Sequence, residues 1–324
     1  MSSTMDQAEG AYLNLQELRV RCNLYIVCGI FVIIPNSICC LVFNSTKEFR
    51  QRFSFFTMLI IGDITNGLSF ILSGIGRLTL LDSRDFFNPA ESFDCLTKHL
   101  WPIFLLLGGQ LPATFTILLT VERVLAVSRP SWYRVQWTHS KRFHLTVLAL
   151  LFCATLNVIA LLVALWAPFK NPDQICAVMN STGIIYGTVH YIWIAFSYFI
   201  AFAITSYLFF RSFKSKFLNV VERRKQISVL CLSGIGVLLV SIPNIVLVVD
   251  EFRTGHFDVL FVGVTYCLYG IQSALNFPVF YFFRLEFRRR LHDIFSFRKR
   301  RTSNFQANSA PTSRVANART TKTS

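Results

Sequence analysis

WPIFLLLGGQLPATFTILLTV, residues 101–121, decides the fold of this chain, because it runs uncharged from Trp101 until Glu122-Arg123 closes it. A helix rises about 1.5 Å per residue and a bilayer core is about 30 Å thick, so roughly 20 such residues cross it. Read through Val127, this is one of seven comparable stretches. The others lie at Asn23–Phe43, Phe53–Ile75, His144–Trp166, Ile184–Phe210, Ile227–Val249 and Asp258–Phe283. Hydrocarbon offers a backbone amide no partner, so each stretch is expected to be a helix. The composition agrees: 53% hydrophobic, 15% charged and 33 phenylalanines are too apolar for one water-soluble domain of 324 residues. The expected fold is an all-α membrane protein, a seven-transmembrane helix bundle over residues 23–283. Residues 1–22 read as a short extracellular N-terminus; they carry Asp6, Glu9, Glu17, Arg19 and Arg21 and lack the pattern of a cleavable signal.

Basic residues set the orientation. Lys47, Arg50 and Arg52 lie in the first connection, and Arg123, Arg129, Arg134, Lys141 and Arg142 at the third. With the Arg211–Lys225 connection and the segment from Arg284 onward, that side holds 25 of the 32 Lys and Arg and should face the cytosol, leaving the N-terminus outside and the C-terminus inside. The formal charge of +15 is therefore assigned to anionic lipid and an acidic cytosolic partner, not to nucleic acid.

Of nine cysteines, seven sit in or beside apolar runs; Cys95 and Cys176 lie in loops on the outer face, where disulfides persist. A bridge between them would tie the loop after the fourth span across the third, the alternative being two unpaired thiols. Asn180-Ser181-Thr182 is a glycosylation triplet on that loop, whereas Asn44-Ser45-Thr46 faces the cytosol and should stay unused. Ionisable groups inside a span need a partner or a wet cavity, which singles out Asp63. With Asn36 and Asn276 it is expected to build a hydrated network that holds a sodium ion or a proton, the alternative being a carboxyl that is simply hydrogen-bonded.

Glu122-Arg123-Val124 ends the third span and Pro130 and Tyr133 follow; Asn276-Phe277-Pro278-Val279-Phe280-Tyr281 ends the seventh. At these residues the chain resembles the rhodopsin-like G-protein-coupled receptors, over about residues 22–295 as architecture. Among them it is most similar to the serpentine chemoreceptors of nematodes. The resemblance implies that Arg123 is restrained by Glu122 at rest and meets a heterotrimeric G protein when released. Pro278 and Tyr281 fall on the seventh-span motif, although Asn276 stands one residue earlier than the family's asparagine. Span six has Pro243 without the tryptophan that usually precedes it by two, span four lacks its central tryptophan and span five its proline. Residues 284–297, which continue from Phe283 with apolar Phe287, Leu291 and Ile294 among arginines, read as an amphipathic interfacial eighth helix on the inner leaflet. Residues 298–324 read as a disordered basic tail rich in Ser and Thr, where the resemblance adds a kinase and arrestin as partners.

Leu105 stands where amine receptors carry an aspartate counter-ion, so a simple amine ligand is disfavoured. Leu105, Gly109, His190, Asn244 and Tyr266 are the candidates to line an outer cavity for a small, mostly apolar ligand. Helix six, weakened at Pro243, would move its inner end, and Glu222 would lock Arg123 until it does. The function expected is a chemosensory receptor at the plasma membrane that passes ligand binding to a G protein, with no cofactor and no enzyme activity. The rival is a seven-span transporter or ligand-gated ion channel, which would want paired intramembrane charges or an inverted repeat.

Overall fold

The computed structural model describes residues 2–214, 220–253 and 257–308, with side chains over 15–212, 223–253, 257–258 and 260–296. In chain order its helices are α1 (Ser2–Phe43), α2 (Lys47–Arg52), α3 (Ser54–Asp82), α4 (Ser92–Lys98), α5 (Trp101–Ser128), α6 (Pro130–Gln136) and α7 (His139–Trp166). There follow α8 (Val178–Thr182), α9 (Ile184–Lys214), α10 (Val220–Gly236), α11 (Ile242–Phe252), α12 (Val259–Phe283) and α13 (Leu285–Asn308). Two short strands, β1 (Ala90–Glu91) and β2 (Lys170–Asn171), pair antiparallel with Ala90 opposite Asn171. Seven helices are long and apolar enough to cross a membrane: Leu15–Phe43, Ser54–Asp82, Trp101–Ser128, His139–Trp166, Ile184–Ser212, Arg223–Phe252 and Leu260–Phe283. The chain has the architecture of an all-α, multi-pass membrane protein.

Local chemistry sets the helix ends. Thr46 caps α2 by accepting from the Phe49 amide, Asp258 caps α12 by accepting from Leu260, and Pro102 and Pro130 sit in first turns, where their missing N–H costs nothing. The helices also run past the apolar stretches. α1 is helical from Ser2, well before Asn23, and α3 continues from Ile75 to Asp82.

α3 and α12 flank α1; α3 also meets α5, α5 meets α9, α9 meets α10 and α11, and α12 closes the ring against α10 and α11. Glycines bring the backbones together. A Cβ on Gly29 of α1 would lie 2.6 Å from the Gly67 carbonyl oxygen of α3, closer than any side chain allows. α7 buries only Ala149, Cys153, Ala160 and Ala164, while Leu148, Leu151, Val158 and Trp166 stay exposed. So continuous an apolar exterior suits lipid and not water.

Two features depart from seven plain rods. The sixth span is broken: α10 opens into a π-helical turn at Val237–Ser241 before α11. Pro243 explains the placement, since it offers no N–H to the preceding turn. After α12, Arg284 leaves helical geometry and α13 begins, seating Phe287 and Leu291 in the cluster that also holds Phe43, Phe53 and Phe280. α13 does not stop at 297 but continues to Asn308. The remainder of the expected tail lies outside the described residues.

Candidate functional site

Toward the end of the bundle that carries Cys95, α3, α5, α9, α11 and α12 enclose a cavity of about 30 Å³, measured as space open to the centre of a water molecule. At roughly 10–15 Å³ per water it admits two or so. All five residues expected to line such a cavity meet here: Leu105, Gly109, His190, Asn244 and Tyr266. Gly109 keeps the space open, because a Cβ there would lie 2.6 Å from Ile194 Cδ1 and 3.3 Å from His190 Nε2. The buried His190 ring is held from behind by Gln110, Nε2 to Nδ1 3.3 Å, and Gln110 Oε1 accepts from Asn157 Nδ2 at 2.8 Å. Asn244 donates to the Val240 carbonyl at 2.8 Å, inside the widened turn, and Ser241 ties that turn to α9 through the Ala195 carbonyl at 2.7 Å. The Tyr191 and Tyr266 hydroxyls bond at 2.5 Å between α9 and α12. Both tyrosines also line a wider vestibule of about 300 Å³ with Arg21, Asp173, Asp250 and Glu251.

Deeper in the bundle, Asp63 is fully buried and accepts from Ser273 Oγ at 2.8 Å and from Asn276 Nδ2 at 2.5 Å. The one-residue offset of Asn276 from the family's position therefore does not keep it from the carboxylate. Asn36 joins through its amide, which donates to the Ser273 carbonyl at 3.0 Å. Its Oδ1 is buried with no hydrogen-bond partner among the described residues. That oxygen, on a side chain joined to the Asp63 network through Ser273, is an acceptor open to a water or a small hard cation.

At the far end of α5, Glu122 Oε1 accepts from Tyr133 at 2.9 Å, Trp137 Nε1 at 3.1 Å and Arg142 Nε at 3.2 Å. The restraint expected of Glu122 on Arg123 thus has competition: the carboxylate anchors α6 and the start of α7. Burial first, and then Glu122, pushes the Tyr133 phenol above its ordinary range, so it stays a neutral donor. Arg123 is buried and lines a cavity of about 180 Å³ with Arg52, Arg142, Lys225, Arg284 and Glu122. Tyr281 stacks on Phe277 with centroids 6.3 Å apart, and Pro278 lies inside α12. The Glu222 side chain, the expected lock on Arg123, lies outside the described residues.

Cys95 and Cys176 are joined, with Cα atoms 5.4 Å apart. Asn180 Nδ2 donates to Asn171 Oδ1 at 3.0 Å, and Ser181 and Thr182 are fully buried, a packing that leaves little room for a glycan.

Several residues of these sites escaped the sequence reading. Gln110, Tyr191, Ser273, Trp137 and Arg142 are polar groups whose partners lie on other helices, so no local pattern marks them. Arg21, assigned to the N-terminal segment, and Arg77, two residues past the second apolar stretch, are both buried. Their signal was available in hindsight: each stands within one turn of an apolar run. No protein-family model matches the chain, and no curated protein matches it significantly.

Proposed function

We propose that the chain is a G-protein-coupled receptor of the plasma membrane, a chemosensory one for a small ligand, with its N-terminus outside and its C-terminus in the cytosol. The observation that carries this reading is a pair of cavities walled by the same helix, α5. Gly109 faces one and Arg123 the other. At about 1.5 Å per residue they stand roughly 20 Å apart along the axis. One cavity is small, mostly apolar and closed by tyrosines, and the other is basic and fit for an acidic segment of a G protein. Between them lie the Asp63 network, which links α3 to α12, and the π-turn next to Pro243. A ligand that packs better when the π-turn is rearranged shifts the population toward that state. The inner half of the sixth span then opens the basic cavity, with Glu222 as the acid it leaves. Arg288, Arg289 and Arg290 of α13 lie along the inner leaflet in this reading and make it an interfacial eighth helix, while the tail beyond offers kinase and arrestin sites.

Guanine-nucleotide exchange on purified G proteins tests the assignment. In vesicles holding the receptor and challenged with volatile, lipid and peptide ligands, an active ligand accelerates exchange. Arg123→Ala abolishes the acceleration while surface expression stays normal; exchange at the wild-type rate by that variant overturns the role of Arg123. Ion flux without any exchange would instead favour the transporter or channel. The sodium site is tested alongside: sodium shifts ligand potency in the wild type and leaves Asp63→Asn unmoved. Epitope tags at the two termini of intact cells label from opposite sides, and labelling from one side removes the receptor reading.

A further inference from the structure

The receptor reading leaves one feature unused: Arg21, which lines the vestibule, and Arg77, which shares the Tyr25 ring with it. Arg21 of α1 and Arg77 of α3 are both buried, at 5% and 3% exposure. Their guanidinium carbons sit 5.5 and 5.7 Å from the centroid of the same ring, Tyr25. Neither has a carboxylate within ion-pair distance among the described residues, and the groups that face Arg77 are Tyr25, Arg21, Cys22 and Tyr266. Among the described residues each makes one side-chain hydrogen bond there, in both cases from Nε: Arg21 to the Tyr25 hydroxyl at 2.7 Å, Arg77 to the Ile175 carbonyl at 2.8 Å. A guanidinium has five N–H donors, so most of both forks remain for something else.

Burying two like charges beside one another without a counter-ion is costly unless an anion completes the site. The fold supports the arrangement deliberately. A Cβ on Gly263 of α12 would lie 2.9 Å from Arg21 Cγ, so glycine clears the space for that arginine's stem. Arg21, Ile175 and Tyr266 line the vestibule, and Tyr191, Tyr266 and Leu247 are shared with the inner cavity beneath. Asp250 and Asp173 line the same vestibule, but each already accepts a backbone amide, from Phe257 and Ile175. Glu251 lines it too, so a carboxylate ligand enters against three like charges and must pair with Arg21 directly.

We propose that Arg21 and Arg77 form the head-group site for a small carboxylic acid whose apolar tail passes the Tyr191–Tyr266 pair into the inner cavity. This names the ligand class of the receptor and rests on that reading for its physiological meaning, although the binding itself does not need a G protein. Bidentate guanidinium-to-carboxylate bonding supplies orientation, and an inner cavity with room for about two waters selects a short, unbranched tail.

The test is the thermal midpoint of the full chain in detergent, titrated with butanoate, hexanoate and octanoate. Hexanamide and inorganic phosphate serve as controls. The carboxylates raise the midpoint saturably, butanoate most, because the inner cavity admits only a short tail and a ligand that binds only the folded state stabilises it by mass action. Arg21→Gln and Arg77→Gln raise the half-saturating concentration about tenfold or more, as expected for a lost charge-assisted bond. Arg77→Lys keeps the charge and loses the fork, so it falls between the wild type and Arg77→Gln; should the glutamine variants not fold, this comparison carries the test. No shift with any carboxylate, an equal shift with hexanamide, a full shift with phosphate alone, or unchanged affinity in the variants overturns the proposal. A carboxylate shift without nucleotide exchange keeps the site and sinks the signalling role; exchange driven only by uncharged ligands does the reverse.

Discussion

Glu122→Ala is expected to cost about 3–5 kcal/mol of stability, the range for removing one partner of a buried ion pair. At a few degrees per kcal/mol, the thermal midpoint of the purified chain should fall by on the order of 10 °C. The size follows from what the carboxylate holds. Its side chain is 5% exposed and that of its ion-pair partner Arg142 14%, with Nη2 to Oε1 at 3.1 Å. The same oxygen receives Tyr133 and Trp137, so one substitution strands a guanidinium, a phenol and an indole together. It also removes the one carboxylate among the described residues lining a cavity with five cationic side chains. The pair Arg19–Asp82, at 45% and 64% exposure, is the contrast: Asp82→Asn should move stability by no more than about 1 kcal/mol, since solvent screens it. Removing the stranded charge as well, in Glu122→Ala with Arg142→Met, should recover part of the loss, and the double-mutant cycle measures the coupling. If Glu122→Ala melts within about a degree of the wild type, the carboxylate does not organise α6 and α7.

The same cluster shows why the sequence revealed some of this protein and not the rest. Seven spans were legible because hydropathy is local: twenty apolar residues in line need no partner to declare themselves. Asp63 declared itself too, a carboxyl with no solvent at hand, and Asn276 and Asn36 were named as partners from composition alone. Leu105, Gly109, His190, Asn244 and Tyr266 could be grouped because helical depth, counted from Arg123 or from the apolar ends, places residues of different spans at one level. What could not be read was the tertiary choice of partner. Glu122 adjoins Arg123 in sequence, but its carboxylate bonds to residues 11, 15 and 20 positions on. The break in the sixth span was half legible: Pro243 announced a missing hydrogen bond, while the extra residue that widens the turn depends on Ser241 finding Ala195 on α9. Arg21 was assigned to the N-terminal segment because charge before a span reads as solvent, and only the fold brings it and Arg77 onto the Tyr25 ring.

Loss of the Cys95–Cys176 bridge should rank beside loss of Glu122. The bond closes a separation of 81 residues, and a loop of that length carries a cross-link contribution of about 4–5 kcal/mol in the chain-entropy account. Two effects reduce it here. Helices that remain formed in the membrane leave the opened loop less to gain than a random coil would, and Cys176 sits at φ 41°, a conformation that costs a non-glycine residue about 1–3 kcal/mol. The net expectation for Cys95→Ala with Cys176→Ala is therefore about 2–4 kcal/mol, just under the effect of Glu122→Ala. The damage should also be local in a way the Glu122 variant's is not. The bridge is packed with Ala90 and Trp101, Trp101 Nε1 donates to the Cys176 carbonyl at 3.2 Å, and the neighbouring Ile175 carbonyl is the one that holds Arg77. Freed from the bridge, the loop carries that carbonyl away from α3, and the Arg77 fork loses its anchor. Hydrogen exchange should then rise first at residues 170–182 and at the first turns of α5, with α12 and α13 unchanged. Hexanoate affinity should fall in parallel. Uniformly raised exchange across all seven spans would mean that the bridge supports the whole bundle and not the vestibule roof.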